Sequence, residues 1–392
     1  MASKRTNIKD TIANSTIATK SKELLAKVPV NKMAEFYKAH KQDIWLTIIA
    51  ITVIVVYFTV FYNRVDRYLS KMDVYDLQLG SLQENTEVIK GDFRLCDFYV
   101  ASSYKSYLPC TNYYDYADCR AIKKVLECGA RYIDLDIFNN DFNSCTEPVI
   151  CNGNEIGNWH YTTSIPFREA MLTIAKTAFS SKWVRNPTDP LFINLNFKTW
   201  GNTDTVDKCA TIIKEIFVSK LLPLDYGFQG RFSSTNLATT PITQLLDKVI
   251  ICATGEILDT DMDEITNIHP QSNSNLRDVT YEQVRDSYDA NEITEYSRKN
   301  VTRVVPDFNG RTKQNYNFYT PYYLGCQFNC MNYTQPDEHM INYIEKFKNY
   351  SYVLKPIKLR YKPITIEQPL QQTKAVSFAP KTETTPFYSI TY

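Results

Sequence analysis

Arg131-Tyr-Ile-Asp-Leu-Asp-Ile-Phe138 is a short apolar run entered directly from Tyr116-Ala-Asp-Cys-Arg-Ala-Ile-Lys-Lys-Val-Leu-Glu-Cys-Gly129, a stretch of helical character. The same alternation recurs downstream. The runs PLFINLNF at 190–197 and DKVIICAT at 247–254 read as buried strands, and TVDKCATIIKEIFVSKLL at 205–222 reads as a helix between them. Strand and helix in turn predict an α/β fold with a parallel sheet and crossover helices, and one domain of this length predicts a TIM-type barrel. The segment 256–296 is acidic and polar and is expected to be an irregular insertion between two halves. No internal repeat is evident.

The chain has 392 residues and 44% hydrophobic content, enough for one large domain with a sizeable core. Formal net charge is +1, and no Cys/His cluster has zinc-finger spacing, so nucleic acid is not an expected partner. The cysteines all lie between Cys96 and Cys330, a distribution that fits an oxidising compartment without fixing any pairing. Sequons occur at Asn300, Asn332 and Asn349.

Ile44 to Asn63 (IWLTIIAITVIVVYFTVFYN) is a run of 20 residues without a charge, bounded by Asp43 and Arg64. It is long enough to cross a hydrocarbon core as one helix. Trp45 stands near one end, and Tyr57, Phe58, Phe61 and Tyr62 stand toward the other, as in interfacial belts. The run begins too late and is too long for a signal-peptide core. Residues 1–43 hold nine Lys/Arg against four acids, so the positive-inside rule favours a cytoplasmic N-terminus. The expected organisation is a basic arm at 1–43, a single transmembrane helix at 44–63, a juxtamembrane stalk at 64–90, a barrel at 91–363 and an extended tail at 364–392.

Several motifs, in order, carry a family resemblance. Val100-Ala-Ser-Ser-Tyr-Lys-Ser-Tyr-Leu108 resembles the strand S-S-H-N-T-Y-L of the phosphoinositide-specific phospholipase C family. Cys128-Gly-Ala-Arg-Tyr-Ile-Asp-Leu-Asp136 resembles G-C-R-x-I-E-L-D, and Pro148-Val-Ile-Cys-Asn-Gly153 resembles P-x-I-Y-H-G. Phe192-Ile-Asn-Leu-Asn196 is similar to V-I-L-S-L-E, and Leu245-Leu-Asp-Lys-Val-Ile-Ile-Cys252 is similar to the strand that supplies a substrate lysine. In the second half, Arg303-Val-Val-Pro306 with Gly310-Arg311, Tyr323-Leu-Gly-Cys-Gln327 and Tyr352-Val-Leu-Lys-Pro356 resemble R-x-Y-P-x-G-x-R, W-x-x-G-C-Q and G-Y-V-L-K-P. The resemblance spans 91 to 361 and implies both halves of that family's catalytic barrel.

It also implies a chemistry that the residues do not match. In the family two histidines move protons and a calcium ion steadies the phosphoryl oxygens. The histidine positions are here Tyr104 and Asn152; an amide cannot exchange a proton, and a phenol is a poor base at neutral pH. His160, in an apparent insertion, is the one nearby candidate replacement. Of the implied calcium ligands, Asp134 and Asp136 remain carboxylates, the third is Asn196, and the Asn ligand is Lys105, which cannot ligate while protonated. The Lys105 ammonium is expected to occupy the vacated place and neutralise Asp134 and Asp136. The lysines expected after 249–251 are Cys252 and Thr254, and the tyrosine two residues beyond Arg303 is Val305. Arg303 is a candidate contact for an anionic headgroup.

These residues predict a membrane-anchored pseudoenzyme with no cofactor, whose barrel is a structural or binding module and whose arm and tail take protein partners beside the lipid bilayer. The alternatives are phosphoinositide binding without turnover and a divergent phosphodiester hydrolase using His160 and Asp134. The Asn- and Tyr-rich, glycine-poor composition, with 28 Tyr and 11 Gly, fits an AT-rich genome such as that of a large DNA virus. On that reading the protein would tie an internal virion membrane to a shell.

Overall fold

The computed structural model describes residues 30–110, 115–140, 147–227, 236–270, 276–307, 314–363 and 379–392. Arm residues 1–29, the pair Gly310-Arg311 and tail residues 364–378 lie outside them. The chain divides into two units, Met1–Lys71 and Met72–Tyr392.

In the first unit the apolar run forms one helix, Lys41–Tyr62, of 22 residues. At 1.5 Å per residue this is about 33 Å, the thickness of a bilayer's hydrocarbon core. Its threonines are satisfied within the helix: Thr47, Thr52 and Thr59 donate to the carbonyls of Asp43, Ile48 and Val55 at 2.7–2.8 Å. The helix is long and apolar enough to span a membrane.

The second unit is a mixed α/β fold built on a curled, mainly parallel sheet. Its strands are β1 (Phe98–Ser103), β2 (Tyr132–Asn139), β3 (Pro148–Ile150), β4 (Ile165–Pro166), β5 (Leu191–Lys198), β6 (Val249–Thr254), β7 (Leu276–Thr280), β8 (Val301–Val305), β9 (Phe328–Met331) and β10 (Tyr352–Leu354). The parallel strands run in the order β6-β5-β2-β1-β9-β8-β7. Asn267 and Ile268 extend the curl beyond β6 by pairing with Ile251 and Ala253. The antiparallel β3–β4 pair continues the edge of β2, and β10 pairs antiparallel with the start of β1. Helices return the chain between strands, and several are begun by a side chain that satisfies an orphan amide. Asp118 caps Cys119–Glu127, Asn202 caps Thr203–Ile216 and Asp337 caps Glu338–Lys346.

Alternate strand residues point into the curl, and their chemistry changes along its length. At the N-terminal end of the strands, Tyr132, Phe192 and Phe328 pack ring to ring, with Tyr132–Phe328 centroids at 4.6 Å and Phe192–Phe328 at 4.8 Å. Two residues further along, the inward positions are Asp134, Asn194, Cys252 and Arg303, and beyond these are Asp136, Asn196 and Thr254. The floor is aromatic and the upper interior is ionic.

Two expected segments differ. The stalk at 64–90 is, from Met72 onward, a strap packed beneath the aromatic floor rather than a free connector. Met72, Leu82 and Val88 are buried, Tyr75 donates its hydroxyl to the Tyr333 carbonyl at 2.6 Å, and the Leu82 amide donates to Asp189 at 2.8 Å. Gly129, at φ +84°, lets the strap approach closely, since a Cβ there would meet the Leu79 side chain. The expected insertion at 256–296 is also structured: it carries the helix Asp261–Ile265, strand β7, and the helices Tyr281–Arg285 and Ala290–Lys299. Its polar character reflects a strand with only Leu276 fully buried, paired along one side with β8. In the tail, β11 (Thr382–Thr384) and β12 (Ser389–Thr391) form an exposed hairpin. Cys96, Cys128, Cys151, Cys209, Cys252, Cys326 and Cys330 are buried free thiols that act here as small packing residues.

If the strap belongs to the barrel, Leu82→Ala should cost about 2–5 kcal/mol of unfolding free energy. A chain beginning at Met72 should melt cooperatively, whereas one beginning at Gly91 should melt at distinctly lower temperature by circular dichroism.

Candidate functional site

The inward carboxylates of β2 sit opposite amides of β5, because the parallel register places Asp134 against Asn194 and Asp136 against Asn196. Asn196 donates through Nδ2 to Asp134 Oδ1 and to Asp136 Oδ1, both at 2.9 Å. Asn194 donates to Asp134 Oδ1 at 2.8 Å, and Thr254 of β6 donates to Asn196 Oδ1 at 2.8 Å. Three adjacent strands are thus joined by side chains above their backbone ladder.

Two cations complete the cluster. Arg303 of β8 reaches across the interior to place Nη2 2.7 Å from Asp134 Oδ1, while its Nη1 donates to Asp278 of β7 at 2.7 Å. Lys105, just beyond β1, lies 3.2 Å from Asp136 Oδ2 and donates to Asn152 Oδ1 at 2.5 Å. Its backbone is left-handed, with φ 43°, a conformation that costs a non-glycine residue about 1 kcal/mol. That conformation lets one residue serve two carboxylates, because the Lys105 amide donates to Asp134 Oδ2 at 3.1 Å while its ammonium faces Asp136. Tyr107 adds a hydroxyl donor to Asp136 Oδ2 at 2.8 Å.

The expected neutralisation is therefore divided. Lys105 gives its charge to Asp136 and only a backbone amide to Asp134, whose cation is Arg303. Burial acts to raise the Asp136 carboxyl, but the Lys105 and Lys198 charges with the Tyr107 and Asn196 hydrogen bonds outweigh it and hold the group well below the ordinary carboxylate range. Burial likewise opposes the charge on Arg303, yet Asp278, with Tyr132 and Asp134, keeps the guanidinium protonated well above its usual value.

Arg303, the candidate headgroup contact, is turned into the interior. Its side chain is 5% exposed, and both terminal nitrogens are committed to carboxylates. Asn152 is buried with its amide oxygen on Lys105. Tyr104 is half-buried against the core, its amide bonded to the Met331 carbonyl, and the Lys105 ammonium stands 5.8 Å from its ring centroid. His160 turns edge-on to Phe138 at 5.3 Å, and burial holds its imidazole below the ordinary value. Cys252 is a buried core thiol in the layer below Thr254, and Val305 ends β8.

A calcium ion of the kind the resemblance implies needs several oxygens converging on one point. Here all four carboxylate oxygens of Asp134 and Asp136 accept hydrogen bonds, and the Asn196 oxygen accepts from Asn194 and Thr254. The donor set does not fit the ion. Among the described residues, no group of three or more His, Cys, Asp or Glu side chains is arranged to hold a metal.

Comparison with known proteins agrees with this architecture. The family model for the X domain of phosphatidylinositol-specific phospholipase C matches residues 92–254, and that for its Y domain matches residues 246–358. The chain belongs to the phosphatidylinositol-specific phospholipase C family. Among solved structures, PLC21 of L. pealei is similar at a TM-score of 0.54 and 19% identity, and PLC21 of S. officinalis at 0.54 and 18%. Each match covers 69% of this chain and 38% of the other, so the chain spans well under half the length of these relatives. At that identity the likeness concerns the fold.

Asp278, Asn194 and Tyr107 belong to the cluster but escaped sequence reading. Asn194 was legible in principle, since it shares a strand face with Asn196 at i, i+2. Asp278 was hidden because β7 has no apolar alternation, and Tyr107 lies beyond the end of its strand.

Arg303→Met should lower stability by about 3–5 kcal/mol in urea titration, because Asp134 and Asp278 lose their shared cation. Asp136 has a depressed folded value, so its contribution is present above the unfolded carboxylate value of about 3.9 and is lost as pH falls through and below it. Melting temperature should therefore fall more steeply below pH 5 in the parent than in Asp136→Asn.

Proposed function

We propose that this chain is a membrane-anchored, phospholipase C-like pseudoenzyme whose barrel acts as a structural or binding module. The observation that carries this reading is at Asn152. The place where the family resemblance puts a proton-exchanging group holds an amide, and that amide's oxygen is taken by the Lys105 ammonium. The other such place is Tyr104, a phenol half-packed into the core. Loss of both acid/base groups would remove about two to four decades of rate for each.

The alternatives are less well supported. Headgroup binding without turnover would need a free cation at the mouth, and Arg303 and Lys105 both serve interior carboxylates. A hydrolase using His160 would need that imidazole directed at the reacting phosphate, whereas its ring packs edge-on to Phe138.

The apolar helix Lys41–Tyr62 supports a single-pass anchor, with the basic arm on the cytoplasmic side. The arm and the tail would then be available to protein partners, and the tail's exposed hairpin carries Phe387, Tyr388, Ile390 and Tyr392 at its surface. The compositional hint of a large DNA virus makes a tether between an internal virion membrane and a shell the most specific form of this proposal.

Release of inositol phosphate from phosphoinositide liposomes, with and without millimolar calcium, tests the reading directly. The full chain should release no more than a protein-free blank. Turnover that scales with protein concentration would remove the pseudoenzyme proposal.

A further inference from the structure

We infer that the foot of the barrel, the end opposite its mouth, docks on anionic lipid headgroups through a basic patch around Trp183; the inference rests on the anchor proposed above. Trp183 lies in the connection between the helix Phe167–Ala178 and β5. Arg131, at the start of β2, holds this connection at the floor end, donating to the Asn186 side-chain oxygen at 2.7 Å and to the Ala178 carbonyl at 3.0 Å. The indole is 39% exposed. Two lysines converge on it, the Lys123 ammonium 3.3 Å from the ring centroid and the Lys182 ammonium 4.9 Å. Arg185 is exposed beside them and shares a cleft with Trp183, Lys124 and the strap residues Met72 and Leu79. The acids here are Asp73, which binds Lys124, and Glu127, 3.8 Å from Lys123. Among the described residues neither Lys182 nor Arg185 is paired with a carboxylate.

Like charges gathered at one exposed ring repel until an anion screens them, and an indole among lysines suits the headgroup layer, which favours tryptophan and attracts basic side chains when the lipid is anionic. The opposite end is unsuited to such a surface. Among the described residues, the loops that follow the strands carry Asp115, Glu155, Glu256, Asp259 and Asp307, and the cations there, Lys105 and Lys198, serve Asp136 and Glu155. Covalent reach favours the same end. The strap begins at Met72, and residues 63–71, which connect it to the end of the apolar helix at Tyr62, span at most about 35 Å when fully extended. They add Arg64, Arg67 and Lys71 to the basic side chains available to the lipid. A barrel docked by its foot turns its mouth away from the membrane that holds the chain.

The test is hydrogen–deuterium exchange of the full chain in nanodiscs of phosphatidylcholine alone and of phosphatidylcholine with phosphatidylserine. Phosphatidylserine should slow exchange in residues 179–186 by roughly fivefold or more, and about 1 M salt, where the Debye length is ~3 Å, should abolish the difference. The mouth loop at 151–163 should exchange alike in both discs. Lys182→Glu combined with Arg185→Glu should melt as the parent does and lose the slowing; should it fail to fold, Lys182→Gln with Arg185→Gln removes the charges without reversing them and should lose it too. Equal exchange at 179–186 in the two discs, slowing at the mouth instead, or slowing that survives the substitutions overturns the inference. Alkaline carbonate extraction of the same chain from vesicles reports the anchor separately. A chain retained in the vesicles but not slowed at 179–186 leaves the anchor standing and removes the docking alone, whereas a chain that carbonate strips off removes both.

Discussion

An interior that screens charge poorly makes every buried ion depend on its partner, and Lys105, Asp134, Asp136 and Arg303 are all enclosed by the barrel, while Asp278 stands at its exposed rim. The pairing of Arg303 with Asp134 and Asp278 is the constraint from which the rest follows. It spans from β8 to its ladder neighbour β7 and across the interior to β2, with which β8 shares no backbone ladder. With Asp134 held there, Asn194 and Asn196 find a fixed acceptor, and Thr254 finds Asn196. The hydrogen bonds pass from β8 through β2 and β5 to β6 without a break.

Stability and chemistry separate along the barrel axis. The aromatic floor and the strap contribute apolar burial, so they hold the curl whatever occupies the upper interior. The upper interior contributes little net stability, since desolvation of each ion offsets most of its Coulomb attraction, but it specifies which strands meet. A protein can therefore change the residues of the mouth and keep the barrel, provided the changes leave every ion paired.

The parts legible in the sequence were those with a repeating period. The apolar runs placed the strands, while Asp134, Asp136 and Asn196 were singled out by the family resemblance. The strap escaped because 72–90 is built of short turns of helix, such as Leu82–Glu84 and Thr86–Lys90, whose burial follows from what lies above them and not from any period of their own. The division of labour between Lys105 and Arg303 escaped for another reason. Sequence gave both cations and both carboxylates, but only the left-handed turn at Lys105 decides that its ammonium meets Asp136 while its amide meets Asp134.

That division bears on how the site differs from the one the family resemblance implies. Asn196 stands where the resemblance places a carboxylate, and Lys105 stands where it places a neutral amide. The first change removes one negative charge and the second adds one positive charge, a net shift of two, which is the charge of the calcium ion the resemblance would supply. Either change alone would be unfavourable. Lysine beside a bound calcium would set two cations against each other, and an asparagine at 196 without lysine would leave Asp136 with neutral donors only. The geometry couples them further, because the Asn196 amide now bridges Asp134 and Asp136, holding the carboxylates together where a metal would otherwise do so. Asn196 and Lys105 therefore act together on the same pair of carboxylates.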